Sequence, residues 1–370
     1  MSSPKKIFIA AGGTGGHVFP AKRVAQKFIK EGFKVIWIGT NRGPEKNICK
    51  ELDISFIQVP LYGFRGKGVL IKLKALVAFL VSGVVFLFKS KPFDRENYPM
   101  IVFGGYVSLI AFFYFKGPVF LQEQNTIPGS VSKLLFSTNK VSKVFCGFPR
   151  TKQFFENFDK KYIKLIESGN PIGEVTQTNN KNNHSDKFNL LVLGGSQGSG
   201  FLNEHVPKSI EIFIKNSQIN VLHQCGINKK EFVEKSYDLS SKNIQIEEFI
   251  IHISQSYTWA DLVICRSGAL TISELISSKS VGILVPLKNS IDNHQMENAS
   301  YLYEKNASWI LQESKEFSLN LFNLLKEILE KKEIVDEKKG NLEKINIKPC
   351  LLYTSPSPRD NRVSRMPSSA

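Results

Sequence analysis

Cysteine is scarce in this sequence, and the few cysteines form neither a recognisable metal site nor a disulfide framework. Five cysteines occur in 370 residues, with no C-x-x-C pair and no histidine–cysteine spacing typical of zinc. Scattered thiols are typical of a reducing compartment, so we expect a cytoplasmic protein without a bound metal. The apolar run near the N-terminus is too short for a signal peptide, and we expect it to form a first β-strand.

Acidic residues are also in the minority, which favours an anionic partner. Aspartate and glutamate number 33 against 49 lysines and arginines, and the formal net charge is +16. Such a charge suits nucleic acid, a phosphorylated substrate or an anionic membrane. The chain is also rich in Lys, Asn, Ile and Phe together, as an AT-rich gene would encode, and base composition offers a second explanation. No recognised nucleic-acid-reading motif accompanies the charge, so we expect no nucleic-acid partner.

Long hydrophobic runs are absent, and the longest apolar stretch leaves two interpretations open. Residues Ala75 to Phe88 are nearly all apolar, and lysines flank them on both sides: Lys72, Lys74, Lys89 and Lys91. This run is shorter than the roughly 20 residues that a membrane-spanning helix needs. It predicts either a buried core helix or a helix lying in the membrane interface, with its lysines at anionic headgroups.

Four apolar runs each end in a glycine-bearing turn that is followed by a helical pattern. They are "KIFIAAGGTGGH", "MIVFGGYVS", "NLLVLGGSQGSG" and "LVICRSGALT". Strand, turn and helix in this order are typical of parallel α/β sheets, whose ligands lie beyond the carboxyl ends of the strands. The first two turns precede residue 150, the last two follow residue 190, and a polar, Asn-rich linker runs from Gly169 to Asp186. We therefore predict two doubly wound α/β domains, residues 1–170 and 171–349, facing a central cleft.

The last 21 residues differ in composition from the rest of the chain. Residues 350–370 are rich in Ser, Pro and Arg, and "CLLYTSPSPRD" back-translates to a transposase adapter used for sequencing libraries. We expect the natural sequence to break off near Pro349 and residues 350–370 to be a non-native, adapter-derived tail. The alternative is a natural disordered tail.

The glycine turns do not follow the familiar nucleotide-binding patterns. In the first turn a G-x-G-x-x-G pattern would begin at Gly13 and Gly15 but meets Val18, and a P-loop would need Gly-Lys-Ser/Thr. These failures count against an NAD-dependent oxidoreductase. What remains is a turn of small residues at a helix N-terminus, where backbone amides attract an anion. Alternatively, the glycines serve only a tight turn.

Two later turns carry further polar groups. In "LGGSQGSGFLN", Ser196 and Gln197 add hydroxyl and amide donors, and in "CRSGALTISE" small residues open a helix. Glu274, further along that helix, can accept hydrogen bonds from a ribose diol. A lone glutamate at such a position is more often a solvated helix residue.

Seven motifs occur together in order between residues 10 and 299: "AAGGTGGHVFPA", "FGGYVS", "EQNTIPG", "GNP", "LGGSQG", "ADLVICRSGALTISE" and "DNHQMENA". In this combination the sequence closely resembles the MurG family of peptidoglycan N-acetylglucosaminyltransferases. The resemblance implies a GT-B fold of two Rossmann-like domains, an acceptor-binding, membrane-facing first domain and a donor-binding second domain. It also implies transfer of GlcNAc from UDP-GlcNAc to the MurNAc C4 hydroxyl of undecaprenyl-linked lipid I, giving lipid II with inversion.

The resemblance further implies where this enzyme would act and with what. It would be a peripheral enzyme at the cytoplasmic face of the bacterial plasma membrane, serving cell wall synthesis and hence cell shape and division. Its partners would be UDP-GlcNAc, the undecaprenyl-pyrophosphoryl-MurNAc-pentapeptide and an anionic membrane surface. It would use no cofactor, and no Asp-x-Asp metal motif occurs in the sequence.

The family's substrate-binding positions correspond to these residues: Thr14, Gly15, Gly16, Asn125, Ser196, Ile250, Ala269, Leu270, Thr271, Ile272, Ser273, Glu274, Gln295 and Asn298. By this correspondence Ser196 and its turn contact the diphosphate, and Ile250 contacts uracil through its backbone. Residues 269–274 hold the α-phosphate and ribose, and Gln295 and Asn298 hold the GlcNAc hydroxyls.

His17 is the candidate general base for the acceptor hydroxyl. A neutral imidazole suits proton abstraction near pH 7. The alternatives are that His17 orients substrate or caps the turn, or that Glu123 is the acid–base group. Helix N-termini would stabilise the leaving UDP.

The sequence departs from the family pattern at two positions. Gly173 follows "GNP" where the family usually has an arginine at a donor contact, and Gln122 replaces a usual histidine. A related transferase acting on another lipid, such as diacylglycerol, therefore stays an alternative, although "QEQNTIPG" and "DNHQMENA" favour lipid I.

Overall fold

The computed structural model describes residues 5–13, 15–61, 69–94, 96–158, 160–173, 187–195, 197–237, 243–288, 290, 293–346 and 350. Thr14, Ser196, most of the Gly169–Asp186 linker and residues 351–370 of the suspected tail lie outside these residues.

The chain alternates strands and helices in both halves. The first half contains β1 (Lys6–Ala10), α1 (Gly15–Lys30), β2 (Lys34–Gly39), α2 (Glu45–Glu51), β3 (Ser55–Gln58), α3 (Val69–Ser90), β4 (Met100–Val102), α4 (Leu109–Tyr114), β5 (Val119–Glu123), α5 (Ser130–Ser137), β6 (Lys143–Cys146), α6 (Pro149–Glu156) and β7 (Lys164–Glu167). The second half contains β8 (Phe188–Leu193), α7 (Gly200–Lys215), β9 (Ile219–Gln224), α8 (Lys230–Glu234), β10 (Ile244–Glu247), α9 (Ile253–Trp259), β11 (Leu262–Cys265), α10 (Ala269–Ser278), β12 (Gly282–Leu284), α11 (His294–Tyr303), β13 (Ser308–Ile310), α12 (Phe317–Glu330) and α13 (Glu333–Glu343).

The strands form two separate parallel sheets, as predicted. Within the described residues the first sheet has the order β3-β2-β1-β4-β5-β6-β7 and the second the order β10-β9-β8-β11-β12-β13. All the pairings are parallel, which requires the crossover helices that the glycine turns predicted. Each half has its own buried apolar core, so the doubly wound α/β fold class is confirmed.

The four glycine turns follow the central strands of the two sheets. β1 and β4 are neighbours in the first sheet, and β8 and β11 are neighbours in the second. Each pair marks the point where the strand order reverses, and such switch points open a crevice at the carboxyl ends of the strands. The turns thus lie at the strand ends beyond which the sequence predicted ligands to lie.

Helix α3 is neither wholly buried nor wholly free. Phe86 is fully buried and Ala75 nearly so, whereas Val84 and Phe88 are 67% and 82% exposed. By length and composition alone the stretch Lys74–Phe93 could cross a membrane, although the apolar run had suggested a shorter element. Because one face packs on the first core, the other face forms an apolar ridge on the surface.

The two halves meet through side chains as well as through the chain connection. Phe148, just before α6, is counted among the buried residues of the second core, and its ring contacts Tyr301 with centroids 5.2 Å apart. Arg150 forms an ion pair with Glu304 at 3.1 Å. The predicted boundary near residue 170 stays a prediction, but α6 clearly belongs to the interface.

Candidate functional site

His17 lies in the first turn of α1 and faces the turn that follows β4. Its ring packs against Gly104 and Gly105, where an added Cβ would lie 3.5 Å and 3.2 Å, respectively, from the nearest ring atoms. Both glycines have positive φ angles, +79° and +68°, that other residues rarely adopt. The two glycine turns of the first domain therefore form one corner around the imidazole.

The imidazole of His17 is neutral at physiological pH. Burial, together with a smaller effect of the nearby imidazole of His294, lowers its pKa from 6.5 to about 4. His294 begins α11 in the second domain, so a residue of each domain contributes to this corner. His294 lies within the motif "DNHQMENA", but no feature of the sequence indicated a role for it. A neutral His17 can accept a proton from a substrate hydroxyl.

The first glycine turn is held by an acidic side chain that the motif did not indicate. Gly13 donates its amide to Glu45 Oε1 at 2.8 Å, and the Thr40 hydroxyl donates to the same oxygen at 3.0 Å. Glu45 is fully buried at the start of α2. The Gly13 amide is thus not available to an anion, and any anion here meets the amides of Gly15 and Gly16 at the start of α1.

Glu123, the other candidate acid, shapes the loop after β5. Its Oε1 accepts from the backbone and side-chain amides of Asn125 at 3.0 Å and 3.1 Å, and its Oε2 accepts from Gly129 at 3.2 Å. The residue is 2% exposed. Both carboxylate oxygens are therefore used, and Glu123 positions the "EQNTIPG" loop.

Asn298 joins this loop to the second domain. Its Oδ1 accepts from the backbone amide and hydroxyl of Thr126, both at 3.0 Å, and its Nδ2 donates to Asn125 Oδ1 at 3.1 Å and to the Ser267 carbonyl at 3.2 Å. Asn298 is fully buried. The structure therefore brings the predicted residues Asn125 and Asn298 together, with the Asn298 amide fully occupied by protein groups.

Asn170 of the "GNP" segment makes the second bridge. Its Nδ2 donates to the Gln124 carbonyl and to Ser273 Oγ, each at 2.9 Å, and Gln122 donates to its Oδ1 at 3.2 Å. The motif containing Asn170 was recognised, but the role of the asparagine was not. Gln122, which departs from the family histidine, contributes to this bridge.

The turn after β8 is packed tightly onto the second sheet. Gly198 has φ +69°, and a Cβ there would collide with the carbonyl of Cys225. Lys229 donates to the carbonyls of Gln197 and Gly198 at 2.8 Å and 3.2 Å. Ser199 caps α7 by accepting from Leu202 N. The turn is thus rigid, with the N-terminus of α7 at its end.

Arg266 supports the same turn from β11, and sequence reasoning missed it. Its Nε donates to Ser199 Oγ at 3.1 Å, and its guanidinium pairs with Glu313 at 2.5 Å. The arginine stands inside the quoted motif "CRSGALT". Its pairing with a distant glutamate has no local signal.

Helix α10 carries the largest group of predicted ligands, and they do not all face the cleft. The helix begins at Ala269 without a side-chain cap, so its first amides remain available. Leu270 and Thr271 are half-buried, but the Ile272 side chain is fully buried in the second core. Any substrate contact of Ile272 would therefore use its backbone.

Glu274 is half-buried in the second turn of α10. Its Oε2 accepts from the Tyr257 hydroxyl at 3.1 Å. Burial raises the pKa of Glu274, whereas the charge of Arg23 and the hydrogen bond from Tyr257 lower it. The carboxylate is thus oriented before any ligand arrives.

Two further predicted residues belong to the second domain: Ile250 lies on the loop after β10, and Gln295 lies in the first turn of α11. The Ile250 amide donates to Gln224 Oε1 at 3.0 Å, so a backbone contact with uracil would have to use its carbonyl. Gln295 Oε1 accepts from Leu287 N at 3.0 Å, and its carbonyl accepts from Ser267 Oγ at 2.7 Å. Both residues are half-buried at the cleft side of the sheet.

No metal-binding cluster is found in the part of the chain that the structure describes. There, no three His, Cys, Asp or Glu side chains are grouped as ligands.

Comparisons with known proteins match this architecture over most of the chain. The Glycosyltransferase family 28 N-terminal domain matches residues 7–144, and the Glycosyltransferase family 28 C-terminal domain matches residues 189–348. The crystal structure of Acinetobacter baumannii MurG superposes with a TM-score of 0.73 and 30% identity, covering 94% of this chain and 96% of that one.

Sequence relatives agree with these matches. The UDP-N-acetylglucosamine--N-acetylmuramyl-(pentapeptide) pyrophosphoryl-undecaprenol N-acetylglucosamine transferase of Vesicomyosocius okutanii subsp. Calyptogena okutanii (strain HA) is 38% identical over 331 residues, which are 87% of this chain and 88% of the relative. The protein of the same name from Pseudomonas syringae pv. syringae (strain B728a) is 35% identical over 330 residues, covering 87% and 89%. The motif resemblance found in the sequence is confirmed.

Proposed function

This chain belongs to glycosyltransferase family 28, and we propose that it transfers GlcNAc from UDP-GlcNAc to lipid I. The acceptor atom is the C4 hydroxyl of MurNAc in undecaprenyl-pyrophosphoryl-MurNAc-pentapeptide, and the product is lipid II. The observation that carries the proposal is the position of His17. A neutral imidazole lies at the carboxyl edge of the first sheet and faces His294, which opens α11 of the second domain.

The reaction follows from this arrangement as a single displacement with inversion. His17 accepts the proton of the acceptor hydroxyl as its oxygen forms a bond to the anomeric carbon of GlcNAc. The bond from that carbon to the β-phosphate oxygen breaks, and its electron pair leaves with UDP. The uncapped N-terminus of α10 and the N-terminus of α7 stabilise the diphosphate charge.

The donor side is assigned to the second domain, residues 171–349. The turn after β8, with Ser196, holds the diphosphate, and residues 269–274 hold the α-phosphate and ribose through the α10 amides and Glu274. Ile250 meets uracil through its backbone. Gln295 and Asn298 are assigned to the GlcNAc hydroxyls, which for Asn298 requires exchanging a present hydrogen bond for one to the sugar.

The acceptor side is assigned to the first domain, residues 1–170. Gly15 and Gly16 border the corner that contains His17, and Thr14 is assigned to the site with them by sequence alone. With Asn125 from the loop after β5, these residues are assigned to complete the site across the cleft. Lipid I brings a long apolar chain, so its binding domain must work at a membrane. The enzyme therefore belongs to peptidoglycan synthesis, and through it to cell shape and division.

We further propose that α3 holds the enzyme at the cytoplasmic face of the plasma membrane. Its exposed ridge includes Leu80, Val84 and Phe88, and Phe113 of α4 extends it with 56% exposure. Lys89 lies at the C-terminal edge of the ridge, and Lys74 is exposed on the N-terminal side of it. Apolar side chains with lysines beside them are typical of helices that lie in the interface of an anionic membrane.

Donor selectivity tests the proposal directly. UDP-GlcNAc should raise the thermal midpoint of the full chain more than UDP-glucose or NADH does at equal concentration, because only a ligand that binds the native state stabilises it. Equal shifts with all three ligands would remove the donor assignment.

A further inference from the structure

A guanidinium group occupies the space beside Gly173. If Gly173 carried a Cβ, that atom would lie 2.6 Å from Nη1 of Arg23, 3.2 Å from its Cζ and 3.3 Å from its Nη2. Arg23 belongs to α1 of the first domain, whereas Gly173 lies at the start of the connection to the second. Arg23 therefore reaches into the place where a side chain at position 173 would begin.

Arg23 faces the second domain without an ion-pair partner. Its charge acts on the Glu274 carboxylate of α10, opposing the rise in pKa that burial causes. Within the described residues, however, no carboxylate lies within 4.0 Å of its guanidinium and no hydrogen bond is made by it. Five N–H donors in a half-buried position are thus left for water or a ligand.

The neighbouring residue Lys22 shows the contrast. Its ammonium group pairs with Glu51 at 2.8 Å on the outer surface of the first domain. The two cations are adjacent in sequence, but one is neutralised by its own domain and the other is turned toward the cleft.

We propose that Arg23 is a donor-binding residue that the first domain supplies across the cleft, and that its guanidinium contacts a diphosphate oxygen of the nucleotide sugar. The inference rests on the proposed function. Helix α1 packs against α10, and among the residues assigned to the donor the charge of Arg23 acts on Glu274, which is assigned to the ribose. In a UDP-sugar the diphosphate is the group that joins the ribose to the sugar. A planar guanidinium fork matches two phosphate oxygens.

This placement accounts for Gly173, where the family resemblance led us to expect an arginine. A side chain at position 173 would require the Arg23 guanidinium to move from its present position. The positive charge is thus provided from α1 in place of position 173. The donor also contacts both domains at once, so its binding favours the closed cleft.

The test compares UDP with uridine, which lacks the phosphates. Calorimetry on the full chain should show that Arg23→Ala weakens UDP binding about 10- to 100-fold, the range for losing a charge-assisted contact, and changes uridine binding less than twofold. Arg23→Lys should recover part of the loss. Lys22→Ala, the matched control, should bind both ligands as the wild type does.

Arg23→Gln serves as a second variant that keeps side-chain length and polarity while removing the charge. It should show the same selective loss of UDP affinity with an unchanged thermal midpoint, and it decides the matter if Arg23→Ala does not fold. Equal weakening of UDP and uridine would overturn the proposal, because it would mean that Arg23 only supports the fold or Glu274.

Moving the positive charge from position 23 to position 173 provides an independent test. Gly173→Arg alone should weaken UDP binding, since two guanidinium groups would compete for one space. Combining Arg23→Ala with Gly173→Arg should restore at least part of the UDP affinity, and a double variant as weak as Arg23→Ala would contradict the shared site.

If the wild type transfers GlcNAc but Arg23 variants bind UDP normally, only this inference fails. If the wild type binds no UDP, the proposed function itself fails.

Discussion

At the scale of single residues, the geometry around His17 depends on two glycines that have positive φ angles and no side chains. His17 lies against Gly104 and Gly105, and the adjoining turn is held by the buried carboxylate of Glu45. Because the two glycines have positive φ angles and no side chains, the imidazole packs directly on backbone. The corner therefore fixes the ring while leaving its nitrogens for a substrate.

His17→Ala should lower turnover far more than it lowers donor affinity. Removing a general base typically costs about 10²- to 10⁴-fold in rate, whereas the donor is held by the second domain. Steady-state kinetics should show a reduced kcat with a UDP-GlcNAc KM within a few-fold of the wild-type value. An unchanged kcat would reject the role of His17 as base.

Gly105→Ala should impair catalysis through the position of the ring. The added methyl group would lie 3.2 Å from the imidazole, so the ring must shift by a few tenths of an ångström. Because proton transfer depends on near-attack geometry, kcat should fall by roughly several-fold. Gly32→Ala is the matched control, because Gly32 has φ +78° but no neighbour within 4 Å of an added Cβ. Both variants should lose about 1 kcal/mol or more of stability from the left-handed backbone. Equal kcat values for the two variants would contradict the packing argument.

Residue-level predictions could be made from the sequence where chemistry and chain position coincide, and the roles assigned to these residues stay predictions. His17 and Asn125 lie in short motifs at strand ends, and the structure places both at the cleft. Glu45 and Arg23 lie outside these motifs, and Asn170 lies in "GNP" without a sign of its role, because each acts on a segment distant in sequence. A carboxylate that holds a turn 32 residues away looks in the sequence like any surface glutamate.

At the scale of elements, α3 combines the two interpretations that its sequence left open. One face packs on the first core through Phe86, and the opposite face exposes Val84 and Phe88. Leu87, two helical turns after the exposed Leu80, packs against the core. Composition alone could not divide the helix, because both of its faces are apolar.

Replacing Val84 and Phe88 with Ser should release the protein from vesicles that contain anionic lipid. Each exposed apolar side chain that enters the interface contributes about 1.5–3 kcal/mol, so the double variant should partition at least tenfold less. The thermal midpoint should change little, because these side chains pack against no core. Co-sedimentation with anionic and with neutral vesicles measures the partitioning, and thermal unfolding measures the midpoint.

The matched control for this experiment lies in the second domain. Ile212 and Leu319 are 51% and 59% exposed, and their replacement with Ser removes apolar surface away from α3. These variants should bind vesicles as the wild type does. Equal binding by the α3 variant and the wild type would contradict the membrane assignment.

At the scale of the whole molecule, two buried histidines make stability depend on pH. Burial lowers the pKa of His17 to about 4 and that of His223 to about 3, below the usual 6.5. The unfolded chain therefore binds more protons than the native one between pH 6.5 and the folded values. Stability is fully present above about pH 6.5 and is lost as the pH falls through this window.

His223→Gln should reduce that pH dependence. In the native protein His223 is held neutral between Tyr237 and Asn203 at 2.9 Å and 3.1 Å. Its share of the loss between pH 7 and pH 4.5 is about 2–3 kcal/mol, on the basis of 1.36 kcal/mol per pKa unit. Urea unfolding at both pH values should show a smaller decrease for the variant than for the wild type. An identical decrease would contradict the assignment of this part of the pH dependence to His223.

The architecture of each domain was largely predictable, whereas the relation between the domains was not. Apolar runs and glycine turns are local signals, and they predicted both parallel α/β sheets. The bridges from Asn298 to Thr126 and from Asn170 to Ser273 join residues more than 100 positions apart, and no local pattern encodes them. The contacts between the domains, and with them the position of Arg23 beside Gly173, emerge only from the folded pair.

The most direct test of the account is transfer of labelled GlcNAc from UDP-GlcNAc to a lipid I analogue in vesicles, with diacylglycerol as the competing acceptor. We predict a labelled lipid II analogue with a β-linkage to the MurNAc C4 oxygen, formed with release of one UDP for each sugar transferred. Transfer to diacylglycerol in preference to the lipid I analogue, or no transfer to either acceptor, would contradict the account.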